Sequence, residues 1–269
     1  MNADHLKKLT TDALDRLGAL LDAGQSHELT ALLRTMARFH RYSLHNLCLI
    51  AAQRPDATRV AGFQTWKTLG RFVRKGEKGI VILAPIVGHR SDAEAGESKR
   101  VVGFRAAYVF DVAQTDGEPL PEISAASGDP GASTAALQAA IATRGIAIDE
   151  VDDLDGALGT SAGGRIQIVK NLEPAQEFAV LAHEFAHELL HHADDRPGSR
   201  DTRELEAEAV AFIVGEAVGL DVARASTDYI HLYCGDRDAL FASLDRVRSA
   251  AGTILAAIEG VTESLARRT

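Results

Sequence analysis

The chain has 269 residues, 46% hydrophobic and 25% charged, with ordinary glycine and proline content. This composition excludes a disordered or fibrous chain and suffices for one large or two modest domains. A net charge of −9 argues against nucleic acid as a partner of the chain as a whole, and no apolar run reaches the ~20 residues of a membrane span.

In chain order, residues 5–34 alternate apolar and polar side chains at helical spacing and predict two helices broken near Gly24-Gln25-Ser26. The polar start is not a secretory signal, so the expected location is cytoplasmic. Residues 35–53 predict a further helix, closed by Arg54-Pro55-Asp56. A short strand at 60–63 and a short helix around Trp66 follow. Then come a glycine-punctuated turn at 74–79, a strand at 80–87 interrupted by Pro85, a polar loop at 88–98 and a partner strand at 101–112. The two cysteines, Cys48 and Cys234, lie far apart in apolar surroundings and read as buried small hydrophobes.

The charge is unevenly spread. Residues 36–90 carry ten basic and only two acidic side chains, interleaved with Phe39, Tyr42, Phe63, Trp66 and Phe72. Stacking rings beside a cationic groove suit single-stranded nucleic acid, and amides of the Gly76 and Gly79 turn could approach a phosphate. The same pattern also fits aromatics in a core with cations along a solvated face.

Residues 122–134, rich in Ser, Gly, Ala and Pro, read as a linker. Beyond it the pattern predicts helices at 134–144, 174–192, 202–218 and 236–265, and a strand at 165–169 after Gly163-Gly164. The expected fold class is therefore α+β. A small α+β domain (1–121) is joined to a mostly helical domain (135–269).

The 174–192 helix contains His183-Glu184-Phe185-Ala186-His187. Residues four apart share a helix face, so both imidazoles can reach one ion, and Glu184 beside them can take a proton from an attacking water. A catalytic zinc site needs a third protein ligand and one open position. Ala193 stands where the third histidine of the longer zincin pattern would fall, so the ligand should be acidic. Arg203-Glu204-Leu205-Glu206-Ala207-Glu208 offers Glu204 and Glu208 on one face, with Glu206 pointing away. The other of the pair could hold a ligating histidine in its tautomer. His191 and His192 read as exposed residues of the last turn, where imidazolium suits the helix dipole, although His191 lies four beyond His187 and could ligate. Tyr229 and His231 are candidate oxyanion stabilisers.

Two resemblances sharpen this reading. Tyr42-Ser43-Leu44-His45-Asn46, the run from Val60 to Lys67, the run from Leu69 to Ile80, and Tyr108-Val109-Phe110-Asp111-Val112 resemble the N-terminal domain of ArdC-type antirestriction proteins. That resemblance implies a single-stranded-DNA-binding module followed by a zincin-like metallopeptidase domain. Its DNA contacts would be Arg41, Tyr42, Asn46, Trp66, Lys67, Arg71, Arg74, Lys75 and Lys78. Residues 171–215 are similar to that second domain and to the ImmA/IrrE metallopeptidases. Glu204, in a Glu-x-x-Ala-acid pattern that resembles the second-helix motif of glutamate-type zincins, is the implied third ligand, with Glu208 the alternate. The implied protein binds zinc and single-stranded DNA and cleaves a protein substrate, with no membrane partner. The rival is a DNA-binding shield whose zinc is structural.

Overall fold

In the computed structural model, residues 8, 11–12, 14–16, 18–19, 26–92, 96–118, 129–191, 199–220 and 236–266 are described. The chain divides into two compact units, Met1–Ala19 with Tyr42–Pro121, and Leu20–Arg41 with Glu122–Thr269. The expected first domain, residues 1–121, differs from this division in one segment. Helix α1 (Ser26–Arg38) buries Leu29, Leu32, Leu33 and Met36, a helical stripe, against the second unit. The helix expected at 35–53 is interrupted at 39–43. Ser43 starts a new helix, α2 (Leu44–Gln53), by accepting the Asn46 N–H at 3.4 Å.

In the first unit, β1 (Val60–Gly62) leads into α3 (Phe63–Thr68), β2 (Arg71–Val73), β3 (Ile80–Asp92), β4 (Gly96–Asp111) and β5 (Thr115–Gly117). β3 and β4 form a long antiparallel hairpin with β1 on its far side, in the order β1-β4-β3. β2 pairs with β5. The polar loop expected at 88–98 is instead mostly ladder, from Gly88 opposite Arg100 to Asp92 opposite Gly96. Antiparallel pairing uses the backbone groups that face the partner strand and does not itself require apolar alternation.

The outer edge of β3 is closed by two side chains of α2. Asn46 donates to the Leu83 carbonyl at 2.9 Å and accepts from its N–H at 2.8 Å. Gln53 does the same for Val81, at 2.9 Å each way. Two amides seven apart lie on one helix face and stand in for a neighbouring strand, covering an otherwise open edge. At the open end of the hairpin, buried Asp111 accepts from the N–H groups of Thr58, Arg59 and Ala113 at 2.7, 3.1 and 2.9 Å.

The second unit continues with α4 (Ala132–Thr143), β6 (Ala147–Val151), β7 (Gly159–Ser161), β8 (Arg165–Val169), α5 (Pro174–Leu190), α6 (Arg200–Ala217) and α7 (Arg237–Ala266). The expected linker, 122–134, lies outside the described residues up to 128 and is already helical from 132. The sheet order is β6-β8-β7, with β8 parallel to β6 and antiparallel to β7. Gly163 and Gly164, at φ 59° and 90°, make the tight β7–β8 turn that only such residues enter without strain. α6 is the central helix. It packs on α5, α7 and α1, which explains its nearly continuous buried run from Ala209 to Gly215. α7 lines the core with Leu240, Leu244, Val247, Ala251, Ile254 and Ile258 at three- and four-residue spacing.

Candidate metal centre

α5 begins with Pro174 at its first turn and an acidic Glu177, both favourable at a helix N-terminus. Its buried stripe, Phe178, Leu181, Ala182, Phe185 and Ala186, fixes the rotation of the helix. The opposite stripe therefore presents His183 and His187 towards α6. α6 is capped by Ser199, whose Oγ accepts the Thr202 N–H at 3.2 Å, and Glu204 opens its second turn.

These three side chains meet. The Nε2 atoms of His183 and His187 are 3.1 Å apart, and each lies 3.5 Å from a Glu204 carboxylate oxygen. Three donors of a tetrahedron around an ion bonded at about 2.0–2.2 Å are about 3.4 Å from one another, so the spacing and the N,N,O donor set both fit a divalent ion. Burial, the largest influence, lowers the pKa of both histidines, that of His187 to about 4. Both are neutral at pH 7, the form that offers a lone pair. Among the described residues, His183, His187 and Glu204 are the group able to hold a metal. Glu208 lies exposed on the same helix and is not in that group.

Glu184 is buried beside the ligands, and burial pushes its carboxyl up to about 7 against the lowering effect of a hydrogen bond from Ser161. It faces a cleft of about 780 Å3 whose walls are Leu158–Ser161 on one side and α5 with Arg200, Arg203 and Glu204 on the other. Gly159 makes this approach possible. A Cβ there would lie 2.5 Å from Val180 Cγ1 and 2.9 Å from Glu184 Cγ. Glu188, on the next turn of α5, fixes the turn between β7 and β8 by accepting the Gly164 N–H at 2.7 Å.

Behind the ligands runs a chain that the sequence pattern did not reveal. His187 Nδ1 is 2.8 Å from His191 Nδ1, and His191 Nε2 is 3.2 Å from Glu206 Oε2. Glu206 is fully buried. Its other oxygen accepts from Ser243 at 2.7 Å and from Arg246. Burial would raise the Glu206 pKa, but hydrogen bonds from His191, Arg246 and Ser243 hold it below the usual carboxylate range. Two expectations change here. His191 is not an exposed last-turn residue but is buried where the end of α5 meets α6 and α7. Glu206 does turn away from Glu204, yet that direction is the core, where it meets His191, Ser243 and Arg246. The available signal was its position among Leu205, Ala207 and Ala209, matched by Ser243 and Arg246 one turn apart on α7. His192, Tyr229, His231 and Cys234 lie outside the described residues.

The expected DNA contacts separate into three groups. Trp66 and Asn46 serve the fold. The indole is 2% exposed and donates to the Phe110 carbonyl at 2.8 Å, and Asn46 closes the edge of β3. Arg71, Arg74 and Arg41 have partners. Arg71 donates to Thr115 Oγ1 and to the carbonyls of Thr115 and Gly117, Arg74 pairs with Glu77 at 2.7 Å and Asp116 at 3.5 Å, and Arg41, in the second unit, pairs with Glu259 at 2.6 Å. Lys67, Lys75 and Lys78 are exposed, and Tyr42 is half-buried. Exposed rings are found elsewhere, at Phe63 and Phe72 and, on β4, at Phe104 and Tyr108, 55% and 52% exposed. The last two, four apart on a strand, share one face.

Residues 6–110 match the N-terminal domain of anti-restriction factor ArdC, and residues 147–233 match the IrrE N-terminal-like domain of the M78 peptidases. A Bacillus anthracis protein, uncharacterized protein pXO2-81, is 27% identical over 279 residues, covering 84% of this chain and 47% of its own length. The chain thus spans about half the length of that curated relative. The metal-free crystal structure of the antirestriction ArdC protein from plasmid R388 superposes with a TM-score of 0.50 at 21% identity, covering 94% of this chain and 98% of that one. The two share a fold. The Mn(II)-bound structure of the plasmid protein aligns with a TM-score of 0.49 at 20% identity, which bears on neither fold nor metal.

Proposed function

Starting from a chain of the ArdC type, with an ArdC N-terminal domain followed by an IrrE-like M78 domain, we propose that it is a zinc-dependent peptidase that also binds single-stranded DNA. Its role would be antirestriction or another DNA-linked regulatory response, and its substrate a protein. The observation that carries the catalytic half is the meeting of His183, His187 and Glu204 at the floor of a cleft, with buried Glu184 beside them.

His183 and His187 would hold the ion through Nε2 and Glu204 through a carboxylate oxygen. When bound, a divalent ion supplies Lewis acidity towards a water and a carbonyl. Glu184 takes the proton of the attacking water and returns it to the leaving amine, a role suited to a carboxyl whose pKa sits near 7. β7 is the edge of its sheet and forms one wall of the cleft, so an extended peptide could add to it as a further strand. Three protein donors rather than four, opening on a cleft, favour a catalytic over a structural site.

The DNA half rests on the exposed lysines 67, 75 and 78 with the exposed rings of Phe72, Phe104 and Tyr108, a pairing of cations and stacking surfaces that suits single strands. Among the described residues no helix is long and apolar enough to cross a membrane.

Exchange of Glu184 for Gln tests the proposal. Zinc should be retained while hydrolysis of the protein substrate falls by about 10²–10⁴-fold. A biological effect that persists undiminished in this variant would favour the DNA-binding shield.

A further inference from the structure

The chain His187–His191–Glu206 has a polarity that its geometry determines. A histidine that offers Nε2 to a metal while neutral must carry its proton on Nδ1. His187 Nδ1 therefore donates to His191 Nδ1, 2.8 Å away. His191, accepting there, carries its own proton on Nε2 and donates it to Glu206 Oε2 at 3.2 Å. Glu206 can only accept, because Arg246 donates to both of its oxygens, with Nε 3.5 Å from Oε2, and Ser243 donates to Oε1. Each link thus admits one direction, and the direction is fixed at the far end.

We propose that Glu206, acting through His191, is the positioning residue that sets the tautomer of His187 and so prepares it to bind the metal. The proposal rests on the metal reading given above. A metal-ligating histidine commonly donates its second N–H straight to a carboxylate or carbonyl. Here a second imidazole stands between, so the carboxylate lies deep in the core, on the neighbouring helix. The side chains that hold it belong to a third helix, and α5, α6 and α7 are thereby tied to one ligand.

The substitution Glu206→Gln reverses the chain without changing its shape. Ser243 and Arg246 Nη2 both donate at Oε1 and outweigh the 3.5 Å approach of Arg246 Nε to Oε2, so they select the amide oxygen, and the amide nitrogen then faces His191 Nε2. His191 must accept there and donate from Nδ1. His187 must in turn accept on Nδ1, which leaves its proton on Nε2, where the metal should bind. Glu206→Asp keeps a carboxylate and hence the original direction.

The test uses full-length protein labelled with 15N, and long-range 1H–15N spectra that report which ring nitrogen is protonated. The expected result for metal-free wild type is His187 protonated on Nδ1 and His191 on Nε2. In Glu206→Gln both assignments reverse, and Zn2+ affinity, measured by chelator competition, falls roughly 10–100-fold, with Glu206→Asp recovering much of the loss. A merely structural role would lower the melting temperature of the metal-free variants and leave the tautomers and Zn2+ affinity unchanged, and that result overturns the proposal. If Glu206→Gln does not fold, the wild-type spectrum still decides, because His187 protonated on Nε2 contradicts the relay. Wild-type protein that takes up no Zn2+ overturns the metal reading itself. Wild type and Glu206→Gln that bind Zn2+ equally overturn only the relay.

Discussion

The helix pair of the second unit and the sheet of the first use the same kinds of side chain to opposite effect. On α5 and α6, five polar groups, His183, His187, His191, Glu204 and Glu206, converge through direct contacts 2.8–3.5 Å long. In the first unit the polar groups diverge. Asn46, Gln53 and Asp111 satisfy backbone, Arg71 and Arg74 fasten neighbouring strands, and the exposed lysines and rings stand apart from them. Convergence of buried polar groups costs desolvation and persists where the members satisfy one another. Dispersed exposed groups carry no such constraint and suit a flexible, charged ligand.

If that distinction holds, the two kinds of residue in the first unit respond differently to substitution. Trp66→Ala should cost about 3–5 kcal/mol of stability through an emptied core site, read by thermal or chemical unfolding. Phe104→Ala and Tyr108→Ala should leave the melting temperature unchanged and weaken single-stranded DNA by about 1–3 kcal/mol for each base they stack. Equal effects on both properties from both sets would erase the distinction between fold and surface.

In the second unit, Gly159→Ala tests how closely the cleft is built. The added methyl meets Val180 and Glu184 inside van der Waals contact and should displace the Glu184 carboxylate. Hydrolysis should fall by about 10²-fold, the effect of misplacing a catalytic group by ~1 Å, while Zn2+ affinity stays near wild type. A loss of metal binding equal to the loss of rate would mean that the substitution unfolds the site.

A further expected effect is on pH dependence. Burial raises the Glu184 carboxyl to about 7, so the metal-free folded state holds a proton that the unfolded chain has released. Stability then falls as pH rises from about 4.5 to 7, by up to about 1.4 kcal/mol per unit from this group. Glu184→Gln should flatten the decline, measured by denaturant unfolding at several pH values.

The meeting of two histidines and a glutamate was legible in the sequence because spacing on a helix fixes direction. His183 and His187, four apart, and Glu204, with its proper face, needed no tertiary information beyond two adjacent helices. His191 and Glu206 were not legible, because their roles depend on α7, some forty residues further on, as the 2.7 Å contact from Ser243 illustrates. β7, three residues of Gly-Thr-Ser, carries no hydrophobic alternation, so the wall of the cleft was invisible although the Gly163-Gly164 turn behind it was not. Trp66 and Asn46 were misassigned for a related reason. An aromatic or amide beside cations reads alike whether it faces a ligand or closes a sheet edge, and only burial tells the two apart. The helix break at Ser43 carried a capping signal, outweighed by apolar residues that continue on both sides of it.

The most direct test is the metal content of the purified full-length protein by elemental analysis, wild type beside His187→Ala. One divalent ion per chain is expected in the wild type and none in the variant, with helix content unchanged by circular dichroism. Equal metal in both proteins, or none in either after exposure to Zn2+, would contradict a centre built from His183, His187 and Glu204.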